Sequence, residues 1–353
     1  MKNKKTVLIC TIIAGLLLLA SCGAKVVIPD GTETIIPEET VVPASEPTPA
    51  PTPEPLIDIL GEKIPEHKIE EGYEFELFGQ TVNTATTESL EYVKEEIGDE
   101  GLEVFRSVLP YMNSLSSLRF DRCGTSDNKT AELRKEFPDA NIAWRVFIGS
   151  YAIMTDEETL WASCDVTNDN SAGLYYCTGM VNLDIGHCSV TDVSFLKNMP
   201  NLKVLILSCG NVSDISPVKY CTNLEYLELA ECRIKDISPL KNLTNLEHLN
   251  IGGNQLIKDF TPLYGLKNLK RLHLANIFNT EINMQEVGEK LREELPECEV
   301  DSNWYADGAL NGGTWKYSGG HYTGHFVERY QQLRDTFGYD YLEEAKPYAR
   351  YLE

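Results

Sequence analysis

From Met180 to about Ile277 the chain repeats itself, and this repetition restricts the possible fold more than any other feature. Cut at the register of its leucines, the stretch reads MVNLDIGHCSVTDVSFLKNMPN, LKVLILSCGNVSDISPVKYCTN, LEYLELAECRIKDISPLKNLTN, LEHLNIGGNQLIKDFTPLYGLKN and LKRLHLANIF. Three units are 22 residues long and the fourth is 23. A unit this short cannot bury its apolar side alone, so successive units must stack, each adding one short strand to a parallel sheet. The leucines at positions one, four and six of a unit, such as Leu202, Leu205 and Leu207, point into the stack, and burying each stabilises by about 1.5–3 kcal/mol. The other half of each unit carries Asp214-Ile215-Ser216-Pro217, Asp236-Ile237-Ser238-Pro239 or Asp259-Phe260-Thr261-Pro262. Serine or threonine before proline reads as a helix N-cap followed by the first helical residue, which predicts one short helical turn per unit.

The L-x-x-L-x-L-x-x-(N/C) spacing is that of leucine-rich repeats, and the pattern resembles the 22-residue repeats of internalins and related bacterial surface proteins. The resemblance implies an α/β leucine-rich repeat solenoid with parallel strands on the concave face and short helical turns on the convex face. The repeat class displays side chains for recognition far more often than it performs chemistry, so no enzymatic activity, cofactor or metal is expected. On the concave face the residues flanking each central leucine form columns. One is Asn182, Val204, Tyr226, His248 and Arg271; the other is Asp184, Ile206, Glu228, Asn250 and His273. Five strands at about 4.8 Å make a platform roughly 20 Å across, suited to a peptide segment or protein edge and too open for most small molecules; the competing reading is that these are ordinary solvated strand residues. Tyr226, Glu228, His248, Asn250, Arg271 and His273 are the candidate contact residues. Tyrosine and arginine are enriched at binding hot spots, and the two histidines would add a charge switch near pH 6–6.5.

Cysteine positions follow the same repeat. Cys188 and Cys232 fall on the N/C position, Cys123 takes that position in an upstream LSSLRFDRC, and Cys177 and Cys221 replace a buried leucine. These are expected to be free buried thiols, with a disulfide among Cys164, Cys209 and Cys298 as the alternative. C-x-x-C spacing is missing, which leaves a zinc ribbon without support.

Toward the N-terminus, Lys2, Lys4 and Lys5 precede an apolar run from Val7 to Ala20, long enough for a signal h-region and too short to span a bilayer. Leu19-Ala20-Ser21-Cys22 follows and resembles a bacterial lipobox. That resemblance implies a lipoprotein signal peptide over residues 1–21, lipidation of Cys22, and attachment to the extracellular face of a bacterial cell membrane; an uncleaved signal anchor is the competing reading. Residues 22–55 are rich in proline, ending in Pro47-Thr48-Pro49-Ala50-Pro51-Thr52-Pro53-Glu54-Pro55, and form an extended tether reaching at most on the order of 100 Å. The formal charge of −23 would be repelled by phosphate backbones, which argues against a nucleic-acid partner.

Residues 56–179 are expected to form divergent N-terminal repeats or a capping region ahead of the regular repeats of 180–290. Leu133-Arg134-Lys135-Glu136-Phe137-Pro138 is echoed by Leu291-Arg292-Glu293-Glu294-Leu295-Pro296, each reading as a helix stopped before proline and followed by a strand. Trp144, Val146 and Ile148 alternate as a strand should. Asp165, Thr167 and Asp169 hint at a calcium loop, but Asn170 and Tyr176 stand where its glycine and glutamate belong. Residues 291–353 are expected to form an aromatic C-terminal cap, with a helix from Phe326 to Phe337. Two alternative functions attach to this segment. Trp304 and Trp315 could stack on cell-wall glycan, and His321 and His325 have the spacing of a metal hydrolase, although Tyr322 stands where the zincin glutamate belongs.

Overall fold

The structure, a computed structural model, describes residues 71–301 except 163, 164, 275, 276 and 279. Cys22, Cys164, the signal segment, the tether, Trp304, Trp315, His321, His325 and the helix expected at 326–337 lie outside the described residues.

A hairpin opens the described region, with β1 (Glu74–Leu77) antiparallel to β2 (Gln80–Asn83). Next come β3 (Ser89–Val93), helix α1 (Gly98–Val108), β4 (Ser117–Asp121), helix α2 (Asp127–Glu136) and β5 (Asn141–Ile148). The three strands pair in parallel, with Leu90, Leu118 and Ile142 in one register line and buried. In this region, where divergent repeats or a cap were expected, parallel strands alternate with full α-helices where the regular units have single turns. α1 buries Leu102, Phe105 and Val108, and the Phe105 ring lies 5.0 Å from that of Phe120 and 5.4 Å from that of Tyr92. α2 ends at Glu136, before Phe137-Pro138.

The parallel ladder stops at β6 (Tyr151–Met154), which folds back antiparallel on β5 across Gly149 and Ser150. Gly149 has φ +58°, and a Cβ there would sit 2.9 Å from the Asp165 carbonyl, so the turn requires glycine. The sheet order is therefore β3-β4-β5-β6, closed on one side by the hairpin.

A second, seven-stranded sheet carries the regular repeats. Its strands are β7 (Thr159–Trp161), β8 (Asn182–Asp184), β9 (Val204–Ile206), β10 (Tyr226–Glu228), β11 (His248–Asn250), β12 (Arg271–His273) and β13 (Glu299–Asp301), all parallel and in sequence order. It is wider by one strand at each end than the repeat alone suggested. Helix α3 (Met284–Glu294) crosses between the last two strands, capped by the Asn283 side chain, which accepts from the Gln285 amide at 3.1 Å. One continuous apolar core runs under both sheets, from Phe75 to Val300.

The helical turns are short 3-10 segments at Ser194–Asn198, Ser216–Tyr220, Ser238–Leu240 and Thr261–Leu263. Serine and threonine do not cap them as expected; they are the first helical residues. The aspartate two places earlier does the work, with the Ser216, Ser238 and Thr261 amides donating to Oδ1 of Asp214, Asp236 and Asp259 at 2.8–2.9 Å. A short acidic side chain reaches an amide two residues ahead in an Asx turn, leaving the hydroxyl free to bond the same carboxylate. Between units, the Asn223, Asn245 and Asn268 side-chain amides donate to the Pro200, Thr222 and Thr244 carbonyls at 2.8–3.0 Å, stitching each unit to the one before.

Candidate functional site

Each strand of the regular repeat is a triplet whose central leucine enters the core: Leu183, Leu205, Leu227, Leu249 and Leu272 are all buried. The residues on either side of that leucine therefore share the opposite face of the sheet. Strand register places Tyr226 beside His248 and Arg271, and Glu228 beside Asn250 and His273. The structure brings all six candidate residues together in two adjoining columns. It lengthens the columns with residues the repeat did not reveal, Thr159 and Trp161 on β7 and Glu299 on β13. For β13 the trace in the sequence is the helix-then-strand pattern after Leu295-Pro296, and for β7 it is only an apolar residue, Leu160, between Thr159 and Trp161.

Burial departs from the solvated platform expected of these strands. Tyr226, Glu228 and Asn250 have 0% exposure, His248 has 3% and His273 has 6%. Val204, Ile206, Asn182 and Asp184 are buried too, while Arg271, Thr159 and Trp161 are half-buried. A carboxylate without water needs donors in its place. For Glu228 they include the Tyr226 hydroxyl, donating to Oε1, and the Ser208 hydroxyl, donating to Oε2 at 3.4 Å while accepting from the Ala230 amide at 3.0 Å. Asn250 and Asp184 turn toward their own strand ends, where Oδ1 accepts from the Gly252 and Gly186 amides at 3.1 and 2.8 Å. Arg271 faces the Glu299 carboxylate at 3.6 Å, and the Tyr226 and His248 rings stand 6.2 Å apart.

His248 does not supply the switch near pH 6 that its residue type suggested. Burial first, then the nearby positive charges of Arg271 and Lys270, push its pKa down to about 3, so the ring is neutral across the physiological range.

The strand exits show why the chain tolerates unusual residues. His187, Cys209, Glu231 and Gly253 occupy one position of four successive units, and all have positive φ, between 53° and 74°. At that position the His187, Cys209 and Glu231 amides donate to the Ser208, Ala230 and Gly252 carbonyls of the next unit, each at 2.8 Å. The cysteines of the N/C position serve the preceding unit: Cys188 and Cys232 Sγ donate to the Ala162 and Leu207 carbonyls at 3.3 Å, as the Asn254 amide does to Leu229 at 2.8 Å. Among the described residues Cys123, Cys177, Cys221, Cys232 and Cys298 are free thiols.

The leucine register, the parallel triplets and the N/C ladder agree with one repeat class. A family profile described as Leucine Rich repeats (2 copies) matches residues 222–265. Residues 222–265 carry leucine-rich repeats. Solved structures similar to it include internalin C2 from Listeria monocytogenes (23% identity, TM-score 0.34, covering 55% of this chain and 74% of that one). Another is an internalin (inlF) from the same organism, at 21% identity and TM-score 0.33, with 55% of this chain and 56% of that one covered. A leucine-rich repeat protein of Leptospira interrogans, LIC12759, is 17% identical with a TM-score of 0.32, over 55% of this chain and 50% of its own. This chain thus spans about half the length of the last two. No curated protein matches it significantly.

Proposed function

We propose that this protein is a lipid-anchored recognition module, held at the outer face of a bacterial cell membrane through Cys22 and using the column face of its leucine-rich repeat sheet to bind a protein or peptide. The observation that carries the reading is the column face itself, where Tyr226, Glu228, His248 and Arg271 stand side by side on a rigid parallel ladder. Aromatic and arginine anchors beside a desolvated carboxylate are the chemistry of a binding hot spot, and rigid strands hold them at fixed spacing. The Leu19-Ala20-Ser21-Cys22 stretch supports the anchor, and two acyl chains give stable attachment where one is marginal.

The test is chemical cross-linking on intact cells followed by capture of the full-length chain, comparing wild type with a Tyr226→Ala/Arg271→Ala double variant whose folding is verified by circular dichroism. Protein cross-links present in the wild type and lost in the variant support the reading; identical cross-links in both remove the column face from it. Retention on purified peptidoglycan that disappears in Trp315→Ala would assign recognition to glycan instead. Mass spectrometry of the mature protein decides the anchor, because an unmodified Cys22 contradicts it.

A further inference from the structure

The first sheet turns one face to the core and the other to water. Leu90, Tyr92, Leu118, Phe120, Ile142 and Trp144 are buried in the core, where the Phe105 ring of α1 packs on Tyr92 and Phe120. Side chains alternate along a strand, so Glu91 and Val93 on β3, Arg119 and Asp121 on β4, and Arg145 and Phe147 on β5 share the opposite face. That face is open: Val93 is 47% exposed, Phe147 is 45% exposed, and Glu91 is exposed as well. Parallel strands are normally covered on both sides, which makes an open face bearing two exposed apolar side chains a place for a partner.

Where the strands leave this face, they are built around a buried carboxylate. Asp121, 7% exposed, stands beside Val93 in register. It accepts twice from Arg145, Nε to Oδ1 at 3.0 Å and Nη2 to Oδ2 at 2.8 Å, and once from Arg122 Nε at 3.1 Å. Arg145 Nη1 donates to the Ala152 carbonyl at 3.0 Å, so that guanidinium is fully engaged. One carboxylate therefore serves two guanidinium groups. Arg122 is exposed and bonds through Nε, leaving both terminal nitrogens to solvent. Lys94, at the matching position one strand earlier, is exposed and makes no ion pair among the described residues. Both residues have φ +57°, a conformation that long side chains rarely adopt. The Lys94 amide donates to the Asp121 carbonyl at 2.8 Å and ties the two strand exits together. Backbone that neither side chain favours thus holds two cations next to each other, the kind of strain that gathers at functional positions. Nearer the strand starts the charges balance, with Arg119 bonded to Asp156 at 3.0 Å and beside Glu91 in register. Glu95 and Glu96 follow Lys94 in the turn to α1. The exit end itself sets Lys94, Arg122 and Arg145 against the single carboxylate of Asp121, in a chain whose formal charge is −23.

We propose that this open end of the first sheet docks an extended acidic segment of another protein, its carboxylates taken by Arg122 and Lys94 and its apolar side chains laid against Val93 and Phe147. The two terminal nitrogens of an arginine match the two oxygens of a carboxylate, and those of Arg122 are the ones left over. An extended ligand alternates its side chains, so acidic and apolar residues meet the cations and the apolar pair in turn. A second copy of this chain is the poorer occupant. Two molecules at −23 repel over their whole surfaces, whereas a short peptide feels chiefly the charges within about 8 Å at physiological salt. The surface lies on a different sheet from the column face, and the proposal does not rest on recognition there.

The test selects displayed random peptides on the full-length chain, with counter-selection on a Lys94→Asn/Arg122→Asn variant. Asparagine tolerates the left-handed region, and circular dichroism verifies the fold. Selected peptides are titrated by fluorescence anisotropy against wild type, this variant, Arg122→Lys and Tyr226→Ala/Arg271→Ala. The expected peptides interleave aspartate or glutamate with apolar residues and bind the asparagine variant about tenfold or more weakly. Arg122→Lys, which keeps the charge and loses the fork, should fall between the two, and it carries the test if the double variant unfolds. The column-face variant should bind as wild type does. Basic or neutral peptides, equal affinity for wild type and the asparagine variant, or loss of binding in the column-face variant alone would each overturn the proposal. Self-association of the wild type that the asparagine variant abolishes, seen by sedimentation, would overturn it too and assign the surface to a second copy.

Discussion

At the scale of single residues, the repeat imposes backbone conformations that its side chains must tolerate. Gly253 has φ +74°, and a Cβ there would lie 2.8 Å from the Glu231 side chain and 3.2 Å from its backbone. Gly253→Ala should therefore lower stability by about 1–3 kcal/mol, read by thermal or denaturant unfolding. Burial sets the chemistry of the thiols. It pushes Cys177, Cys221 and Cys298 up to about 12 and Cys232 up to about 11, so these cysteines should resist maleimide at pH 8 in the native protein and react once it is unfolded. His248 works in the opposite direction. Its folded pKa lies near 3, below the ordinary 6.5, so the unfolded chain takes up the proton first. The stability it contributes is complete above pH 6.5 and is lost progressively as pH falls toward 3. Chemical denaturation across that window should show a shallower decline for His248→Gln than for wild type.

At the scale of elements, the 3-10 turns depend on aspartate. Asp236→Ala removes the acceptor of the Ser238 amide and should cost about 1 kcal/mol, measured by denaturant unfolding. The Thr261 hydroxyl, with its amide, holds the Asp259 carboxyl below its usual range, so the support this turn receives is present at neutral pH and fades in acid as the carboxylate protonates. These elements also show how much the sequence discloses. Strands β8 to β12 are legible because a central leucine recurs at a fixed spacing, and α2 and α3 because each helix stops ahead of a proline. Strand β7 is not legible, since Glu157 and Ala162 stand where the leucines flanking Leu160 belong. Nor is the β5–β6 hairpin, whose direction rests on the positive φ of one glycine, Gly149. The turns are legible too, but the Ser/Thr-Pro pattern points to a hydroxyl cap where the neighbouring aspartates accept the amides.

At the scale of the whole molecule, the parallel ladder is divided between two sheets over one core, and the candidate face belongs to the second. Its members were legible in the sequence, because any residue flanking a central leucine must point away from the core. Their burial was not, since the x-Leu-x pattern fixes a side chain's direction and says nothing of its exposure. The central claim, that the column side chains are held out of water, has a direct measurement: hydroxyl-radical footprinting of the unmodified full-length protein, with Tyr220, 47% exposed, as internal reference. Tyr226 and His248 should be protected while Tyr220 is oxidised. Oxidation of Tyr226 at the rate of Tyr220 in the folded protein would contradict the account.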